Sequence, residues 1–429
     1  MTASLKTVLL AGGAAFALLG AVAHADPMTT AQAKAYFADA KAVSDAEGGR
    51  LWGQRLYGAM LLVDPETRIA IANEPDAQGV LHATDGVYVG KLPDDVIISN
   101  TPTDWEGKRW TMLMGFTIPD DTVSRHITFA HEMFHRIQPS LHLMAQDSPN
   151  PQLDTLEGRV WLQLEWRALA AALIESGAAQ DAALRDALAF RDHRHALFAN
   201  SKASEASLEI AEGIPEFTGV TAGEADVHAA RWHAAAKLAH PDTSMSFVRS
   251  FSYTSGPGYG LLLEEWAPGW RAKLNERSDL GDLLAATLKA SPPVDVDARA
   301  ALYGASEIRS AEKDRAALAD AEKARYRALL IDGPVLALGA PGHFSFNPST
   351  LVSLGDAGNV YPTFHAVAPW GTLDVKAGVL VTDDFSAATV AAPTKTDGQH
   401  IEGPGYTIDL APGWKIVPAA KAGSFMLRK

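Results

Sequence analysis

The hydrophobic pattern of this chain changes its period twice, and that change restricts the possible folds more than any other feature. Between residues 51 and 118, short apolar runs are separated by Pro, Asp and Gly, as is typical of strands in an antiparallel sheet. From about 121 to 330 the apolar residues recur at helical spacing. After residue 333 short alternating runs return, separated by Gly and Pro. The sequence therefore predicts an α+β protein with an antiparallel sheet, a helical lobe and a C-terminal all-β domain.

We divide the chain into four segments on this basis. They are a leader at 1–25, an α+β sheet subdomain at 26–120, a helical lobe at 121–332 and a C-terminal β domain at 333–429. Within the last segment, about 95 residues are enough for a small β-sandwich or barrel.

The leader is typical of a bacterial secretory signal peptide. One cation, Lys6, precedes an apolar run of 17 residues, and Ala23-His24-Ala25 forms a small-residue cleavage site. The run is short for a membrane span and contains three glycines. We therefore predict cleavage after Ala25, a periplasmic or secreted protein, and no membrane span in the mature chain.

Charge and cysteine content exclude several classes of function. The chain carries 37 Lys and Arg against 51 Asp and Glu, and the formal net charge of -14 repels nucleic-acid phosphates. It contains no cysteine, which excludes disulfides, thiolate metal sites and a cysteine nucleophile. The sequence has no Gly-x-Ser-x-Gly elbow, phosphate-binding loop or dinucleotide fingerprint. Any bound metal must therefore be held by histidine and carboxylate.

Residues 131–135 read His-Glu-Met-Phe-His. On a helix, His131 and His135 lie one turn apart on the same face, so both imidazoles can bind one metal ion. Glu132 lies about 100° around the helix, where it suits a general base better than a ligand. Zinc with three protein ligands keeps a position for water, whose proton Glu132 can take as the water attacks a carbonyl. The alternative interpretation is an amphipathic helix with incidental histidines.

The sequence around the motif favours a helix. Asp120 or Asp121 can cap its first turn, and Pro139 ends it. Apolar residues at helical spacing predict one buried stripe, formed by Ile127, Ala130, Phe134 and Ile137.

The motif does not continue as it does in metzincins. Gln138 and Leu141 stand where that group has a glycine and a third histidine. His142 is one residue late and follows Pro139, so we expect it at the surface. The third ligand should then be a downstream carboxylate.

Glu212 is the first candidate for the third ligand. Glu216 follows it at i+4 and can accept the other N–H of a ligating histidine. Gly213 and Pro215 would strain a helix at this point, and backbone strain is found more often at functional sites than in purely structural segments.

Here the sequence resembles the gluzincin zinc metallopeptidases, the thermolysin-like and aminopeptidase-like group. In that group a glutamate in an Asn-Glu-Ala or Glu-Gly-Phe-Ala type segment is the third zinc ligand, and in the thermolysin-like members a carboxylate four residues later supports a histidine. The resemblance implies a zincin-like catalytic core. It implies one Zn²⁺ per chain, bound by His131, His135 and Glu212. It also implies that Glu132 is the general base and that Glu216 is the supporting carboxylate.

The spacing departs from those families and leaves an alternative open. Glu212 stands 77 positions after His135, much farther than the gluzincin pattern has it, so we expect two inserted helices between 151 and 200. Glu165, 30 positions after His135 and followed by small residues, is the second candidate. We favour Glu212 because it alone has a carboxylate partner at i+4, and we rank Glu157 third.

Hydrolysis also needs a hydrogen-bond donor for the developing oxyanion. The segment FSYTSGPGYGLLLEEW resembles the aminopeptidase-type Tyr-x-x-Gly helix start, which implies that role for Tyr253. A tyrosine packed in the core with its hydroxyl on a backbone carbonyl is an equal alternative. Tyr259 and His233 are reserve candidates.

We therefore predict an exported zinc-dependent metallopeptidase that cleaves peptide bonds in a peptide or protein substrate through a zinc-activated water, with Glu132 as general base. The alternative is an exported zinc-binding or catalytically inactive zincin-fold binding protein. We also expect strand 109–117 to be the sheet edge that receives an extended peptide.

Overall fold

The computed structural model describes residues 28–146, 148–289, 295–346 and 350–429. The predicted signal peptide at 1–25 lies outside these residues. The described chain combines helices and sheets, so the predicted α+β class is confirmed. In the described ranges, no helix combines the length and the apolar character that crossing a membrane requires. The chain forms two compact units, which divide between Arg309 and Ser310.

The first unit contains one six-stranded sheet. Its strands are β1 (Met60–Val63), β2 (Ile69–Ala72), β3 (His82–Thr84), β4 (Val87–Lys91), β5 (Thr101–Trp105) and β6 (Lys108–Met114). The helices of this unit are α1 (Thr30–Glu47), α2 (Thr122–Ile137), α3 (Leu156–Ile174), α4 (Gly177–Leu197), α5 (Ser201–Leu208), α6 (Ile214–Gly223), α7 (Val227–Ala239), α8 (Phe247–Trp266), α9 (Leu280–Ala285) and α10 (Val296–Leu302). Helix α11 (Ala305–Arg327) runs from the first unit into the second.

The sheet is mixed, which corrects the prediction of an antiparallel one. Its strand order is β3-β4-β2-β1-β6-β5, and β1 runs parallel to β6, with Leu61 opposite Met112. The other pairs are antiparallel. Because β1 and β5 flank β6 on both sides, the expectation that strand 109–117 forms the sheet edge is wrong.

Both faces of the sheet are covered. On one face, Leu62 and Leu113 share an apolar cluster with Phe129 and Met133 of α2. On the other face, a second cluster contains Trp110 with its strand neighbours. Since the sheet and the helices share a core, the segments 26–120 and 121–309 form one unit.

The second unit is a pair of sheets around a common core. A seven-stranded sheet has the order β18-β19-β7-β14-β13-β10-β9, and a six-stranded sheet has the order β15-β16-β17-β12-β11-β8. The strands are β7 (Val335–Leu338), β8 (His343–Phe346), β9 (Val352–Ser353), β10 (Asn359–Tyr361), β11 (Phe364–Ala368), β12 (Gly371–Val375), β13 (Val379–Val381), β14 (Ala388–Ala391), β15 (Lys395–Asp397), β16 (His400–Gly403), β17 (Tyr406–Leu410), β18 (Lys415–Pro418) and β19 (Phe425–Arg428). Leu336 and Val381 of one sheet share an apolar cluster with Leu373 and Ile408 of the other, as in a β-sandwich.

The second unit begins earlier than the predicted boundary at 333. The end of α11 and the turn after it supply Tyr326 and Leu330 to an apolar cluster with Leu354, Val360 and Leu380 of the β region. The part of α11 after Arg309 therefore belongs to the second unit, although its sequence is helical like that of the first unit.

Candidate metal centre

The motif helix is α2, and its limits agree with the sequence prediction. The Asp121 carboxylate caps it by accepting the amide hydrogen of Ser124 at 2.8 Å. The predicted stripe is buried, and the helix ends at Ile137, two residues before Pro139. His131 and His135 therefore lie one turn apart on the same face of α2.

Two glycines of α6 let that helix lie directly against α2. A Cβ atom on Gly219 would lie 2.8 Å from the carbonyl oxygen of Ile127, and one on Gly223 would lie 2.6 Å from the amide nitrogen of Ile127. A larger side chain at either position would require the helices to shift apart. This close approach brings Glu216, in the first turn of α6, to His131.

Glu212 lies in a π-helical turn, Glu209–Gly213, between α5 and α6. The amide of Ile214 donates to the carbonyl of Glu209, five residues earlier, and Pro215 has no amide hydrogen to donate. The helix therefore widens where the sequence predicts strain. The interval 151–200 contains α3 and α4, the two helices expected between the motif and Glu212.

Three potential ligand atoms converge between α2 and this turn. Nε2 of His131 lies 3.1 Å from Nε2 of His135. Oε2 of Glu212 lies 3.5 Å from the first nitrogen and 3.4 Å from the second. Among the described residues, these three side chains are the only His, Asp and Glu group whose ligand atoms lie this close together.

The outer nitrogen of each histidine has a separate partner. Nδ1 of His131 lies 2.8 Å from Oε2 of Glu216, and Nδ1 of His135 lies 2.8 Å from Oε1 of Gln138. Both partners are acceptors, so each Nδ1 carries a hydrogen. In this tautomer each imidazole would present the lone pair of its Nε2 atom to a metal ion bound beside the Glu212 carboxylate.

This geometry fits a tetrahedral zinc ion. Zinc bonds of about 2.0–2.1 Å at tetrahedral angles separate the ligand atoms by about 3.3 Å. The three separations here lie between 3.1 and 3.5 Å. Two imidazole nitrogens and one carboxylate oxygen are also the donor set of three-ligand catalytic zinc sites. The residues present therefore fit the metal.

Charge in the cluster favours a cation at the same place. Burial lowers the pKa of His131, but hydrogen bonds to Glu212 and Glu216 outweigh it and raise the pKa to about 10. For Glu216, burial is outweighed by Lys237 and His131, and the pKa falls to about 2. Lys237 donates to Oε1 of Glu216 at 2.9 Å, so this supporting carboxylate is held on both oxygens.

Glu132 lies beside the cluster with a free oxygen. Its side chain is 4% exposed, and its Oε2 atom has no hydrogen-bond partner. Burial raises the pKa of Glu132, and the charges of His131 and His135 act against that rise. A buried carboxylate with a raised pKa and an open oxygen is suited to accept a proton near neutral pH.

Tyr253 also reaches the cluster, from α8. Its hydroxyl donates to Oε2 of Glu212 at 2.7 Å, and its ring stacks on that of His131 with centroids 5.6 Å apart. Nη2 of Arg249 lies 3.2 Å from the other oxygen, Oε1 of Glu212. Helix α8 can approach this closely because it has Gly256, where a Cβ atom would lie 2.4 Å from the π-helical turn.

The structure places the rival candidates elsewhere. Glu165 binds Arg191, Arg194 and Tyr259 in a buried ionic network. The remaining candidates also have partners away from the cluster. Glu157 binds Arg309 and Trp161. Tyr259 binds Glu165, and His233 binds Glu224. His142 is exposed, as expected.

Three residues of the site were missed from the sequence, Gln138, Lys237 and Arg249. Gln138 follows His135 at i+3 on the same helical face, which is a signal that the sequence carries. Lys237 lies on α7, and no local spacing connects it to Glu216.

Searches against protein-family models, curated proteins and solved structures found no match to this chain. The resemblance to the gluzincins therefore stays a prediction.

Proposed function

We propose that this protein is an exported zinc-dependent metallopeptidase. One observation carries the proposal. Potential ligand atoms of His131, His135 and Glu212 converge at separations of 3.1–3.5 Å, and Glu132 beside them has a buried oxygen without a hydrogen-bond partner. Two imidazole nitrogens and one carboxylate oxygen form the donor set of three-ligand catalytic zinc sites.

Each residue has a distinct task in the proposed reaction. His131, His135 and Glu212 would hold the zinc ion, which would supply a Lewis acid for the peptide carbonyl and would lower the pKa of a water molecule. Glu132 takes a proton from the attacking water at Oε2 and delivers it to the leaving amine nitrogen as the C–N bond breaks. Tyr253 donates its hydroxyl hydrogen to the oxyanion that develops on the carbonyl oxygen.

The supporting contacts favour the gluzincin arrangement within this class. Glu216 follows Glu212 by one helical turn, and its carboxylate accepts the Nδ1 hydrogen of His131. This is the support that the sequence resemblance implies. We propose on this basis that α2, the π-helical turn and α8 form a zincin-like core.

Export is proposed from the sequence alone. The cation, the apolar run and the Ala-His-Ala site are typical of a cleaved leader, and the predicted mature chain begins at Asp26. The substrate would then be a peptide or protein outside the cytoplasm.

Zinc content is the first test. Purified protein without residues 1–25 is dialysed against a weak chelator, reloaded with Zn²⁺ and analysed for metal. We expect about one zinc per chain, because the donor set has three protein ligands. Protein that retains no zinc after reloading would contradict the proposal.

Glu132→Gln then separates an enzyme from a binding protein. Hydrolysis of denatured casein and of a quenched fluorescent peptide mixture is compared for the wild type, this variant and Glu157→Gln, a control carboxylate bound to Arg309. We expect Glu132→Gln to keep its zinc and to lose activity by about 10²–10⁴-fold, since no base then accepts the proton of the water. If the zinc-loaded wild type and Glu132→Gln are equally inactive, the binding protein is the better interpretation.

A further inference from the structure

Gln138 connects the second histidine of the site to the turn that carries the carboxylate. It is 4% exposed and lies at the end of α2. Its amide oxygen faces Nδ1 of His135 at 2.8 Å. Its amide nitrogen lies 3.1 Å from the carbonyl oxygen of Ile210 and 3.3 Å from that of Ala211, the two residues before Glu212.

The surroundings of this amide fix its orientation. A third carbonyl oxygen, that of Leu143, lies 3.0 Å from Nε2 of Gln138. Carbonyl oxygens only accept hydrogen bonds, so the atom among them must be the NH₂ group. Oε1 then faces His135, and that histidine must donate from Nδ1, which leaves the Nε2 lone pair toward the metal position.

The π-helical turn supplies the acceptors. In a regular α-helix the carbonyl of Ile210 would accept from Ile214, and that of Ala211 from residue 215. Here Ile214 donates to Glu209 instead, and Pro215 has no amide hydrogen. Both carbonyls next to Glu212 are therefore available to Gln138, and the side chain compensates for bonds that the turn gives up.

We infer that Gln138 is a positioning residue for metal binding. Through its oxygen it fixes the tautomer and ring orientation of His135, and through its nitrogen it holds the turn that presents Glu212. One side chain at the end of α2 thereby pre-organises two of the three ligands, one on α2 and one on the π-helical turn. This inference rests on the proposed metal site and adds a determinant of its affinity.

The test compares Gln138→Met with a matched control, Gln180→Met. Gln180 is also a buried glutamine that donates to a backbone carbonyl, that of Ala172 at 3.1 Å, but it has no contact with the three ligands. Zinc affinity is measured by competition with a chromogenic chelator, and thermal unfolding of chelator-treated protein reports the stability of the fold. Loss of an outer hydrogen bond to a ligand typically costs 10–100-fold in metal affinity.

We expect Gln138→Met to weaken zinc binding by about 10–100-fold and Gln180→Met to change it by less than about twofold, with similar losses of thermal stability in the two variants. Equal zinc affinities in folded Gln138→Met and the wild type would overturn the inference and leave the metal site intact. A wild type that binds no zinc would overturn the proposed function instead.

A second measurement tests the tautomer directly, and it is informative whether or not the protein binds zinc. Proton–nitrogen correlation spectra of ¹⁵N-histidine-labelled protein, with His135 assigned by its absence in His135→Gln, report which ring nitrogen carries the hydrogen. We expect Nδ1–H in the wild type and in Gln138→Glu, which keeps the oxygen acceptor, and a mixture in Gln138→Met. The same tautomer in all three proteins would contradict the assigned role whether or not zinc binds.

Discussion

Glu212 and Glu165 are both buried carboxylates, but their neighbours give them different roles. Glu212 faces two imidazole nitrogens, with Tyr253 as its hydroxyl donor. Glu165 is 0% exposed and is held by two guanidinium groups and by the Tyr259 hydroxyl at 2.7 Å. A carboxylate that is buried between two arginines and a tyrosine hydroxyl has its charge compensated there, and Glu165 does not belong to the group of potential ligand atoms that includes Glu212.

Replacing these two glutamates separates the two roles. We expect Glu212→Ala to abolish retained zinc, because only two ligands remain. We expect Glu165→Ala to keep one zinc per chain but to lose about 3 kcal/mol of unfolding free energy, because Arg191 and Arg194 are left buried with one partner fewer. Elemental analysis and urea unfolding measure the two effects. Zinc lost from folded Glu165→Ala and kept in Glu212→Ala would reverse the assignment.

At the scale of residues, most of the candidate site could be predicted from local spacing in the sequence. His131, Glu132 and His135 follow from one helical motif, and the pair Glu212 and Glu216 from an i+4 interval. The contact of Gln138 with His135 also has a local spacing, i+3, that the sequence carries. Lys237 could not be obtained in this way, because its partner Glu216 lies on another element and the contact depends on tertiary packing that no short window of sequence contains.

At the scale of elements, the crossing of α2 and α6 depends on the absence of side chains. A Cβ atom on Gly223 would lie 2.6 Å from a backbone nitrogen and 2.9 Å from the Cα atom of Ile127. On Gly258 of α8, a Cβ atom would meet only a methyl group of Leu238 at 2.9 Å, the end of a flexible side chain. Alanine at Gly223 therefore tests the close crossing, and alanine at Gly258 is its matched control.

We expect Gly223→Ala to destabilise the protein by about 1–3 kcal/mol and to weaken zinc binding, because α6 must move away from α2 and take Glu216 and Glu212 with it. Gly258→Ala should be near neutral, since alanine favours a helix by up to about 1 kcal/mol and Leu238 can rotate. Urea unfolding and chelator competition measure both variants. Equal behaviour of the two variants would count against the close crossing as the cause.

The ionic network between α3, α4 and α5 predicts a dependence of stability on pH. Glu205 is 0% exposed and binds Arg194 at 2.7 Å and His195 at 3.0 Å. Burial acts to raise the pKa of Glu205, but Arg194 and His195 outweigh it and hold the pKa well below its usual value of 4.5. A depressed pKa in the folded state stabilises the protein above pH 4.5, and this contribution is lost as the pH falls below it.

We therefore expect Glu205→Gln to lower the unfolding free energy by about 3 kcal/mol at neutral pH. The difference from the wild type should shrink as the pH falls below about 4.5, because the carboxylate of the unfolded wild type then binds a proton that the folded state does not. Urea unfolding at several pH values measures it, with the exposed Glu276→Gln as control. A difference that stays constant down to pH 3 would show that the charge of Glu205 is not its cause.

The elements themselves were predicted with unequal success, for physical reasons. The limits of α2 follow from a cap, a stripe and a proline, all of which are local. The parallel pairing of β1 with β6 joins strands that are remote in sequence, and nothing in either strand encodes its neighbour. The predicted strand 109–117 ends at Met114 in the structure and is buried on both faces from Trp110 to Leu113, because strands lie on both sides of it. Phe116 is 64% exposed in the turn that follows.

At the scale of the whole molecule, each unit has an apolar core of its own. The helices and the mixed sheet share one cluster, and the β-sandwich has another. The sequence predicted the order of these regions from the change of period but placed the second boundary at 333. Periodicity cannot assign α11, because a helix keeps the same period whichever core its last turn contacts.

This division predicts which part of the molecule responds to metal. The ligands and their supports all lie before Arg309. A ligand that binds only the folded state stabilises it by about 2.7 kcal/mol when its free concentration is 100 times the dissociation constant. In differential scanning calorimetry we therefore expect two transitions, of which only that of the first unit moves to lower temperature when a chelator removes zinc. Glu212→Ala should lack this shift. Glu165→Ala should show the shift, although its first unit should unfold at a lower temperature than that of the wild type. A single transition, or an equal shift of both, would mean that the two cores do not unfold separately.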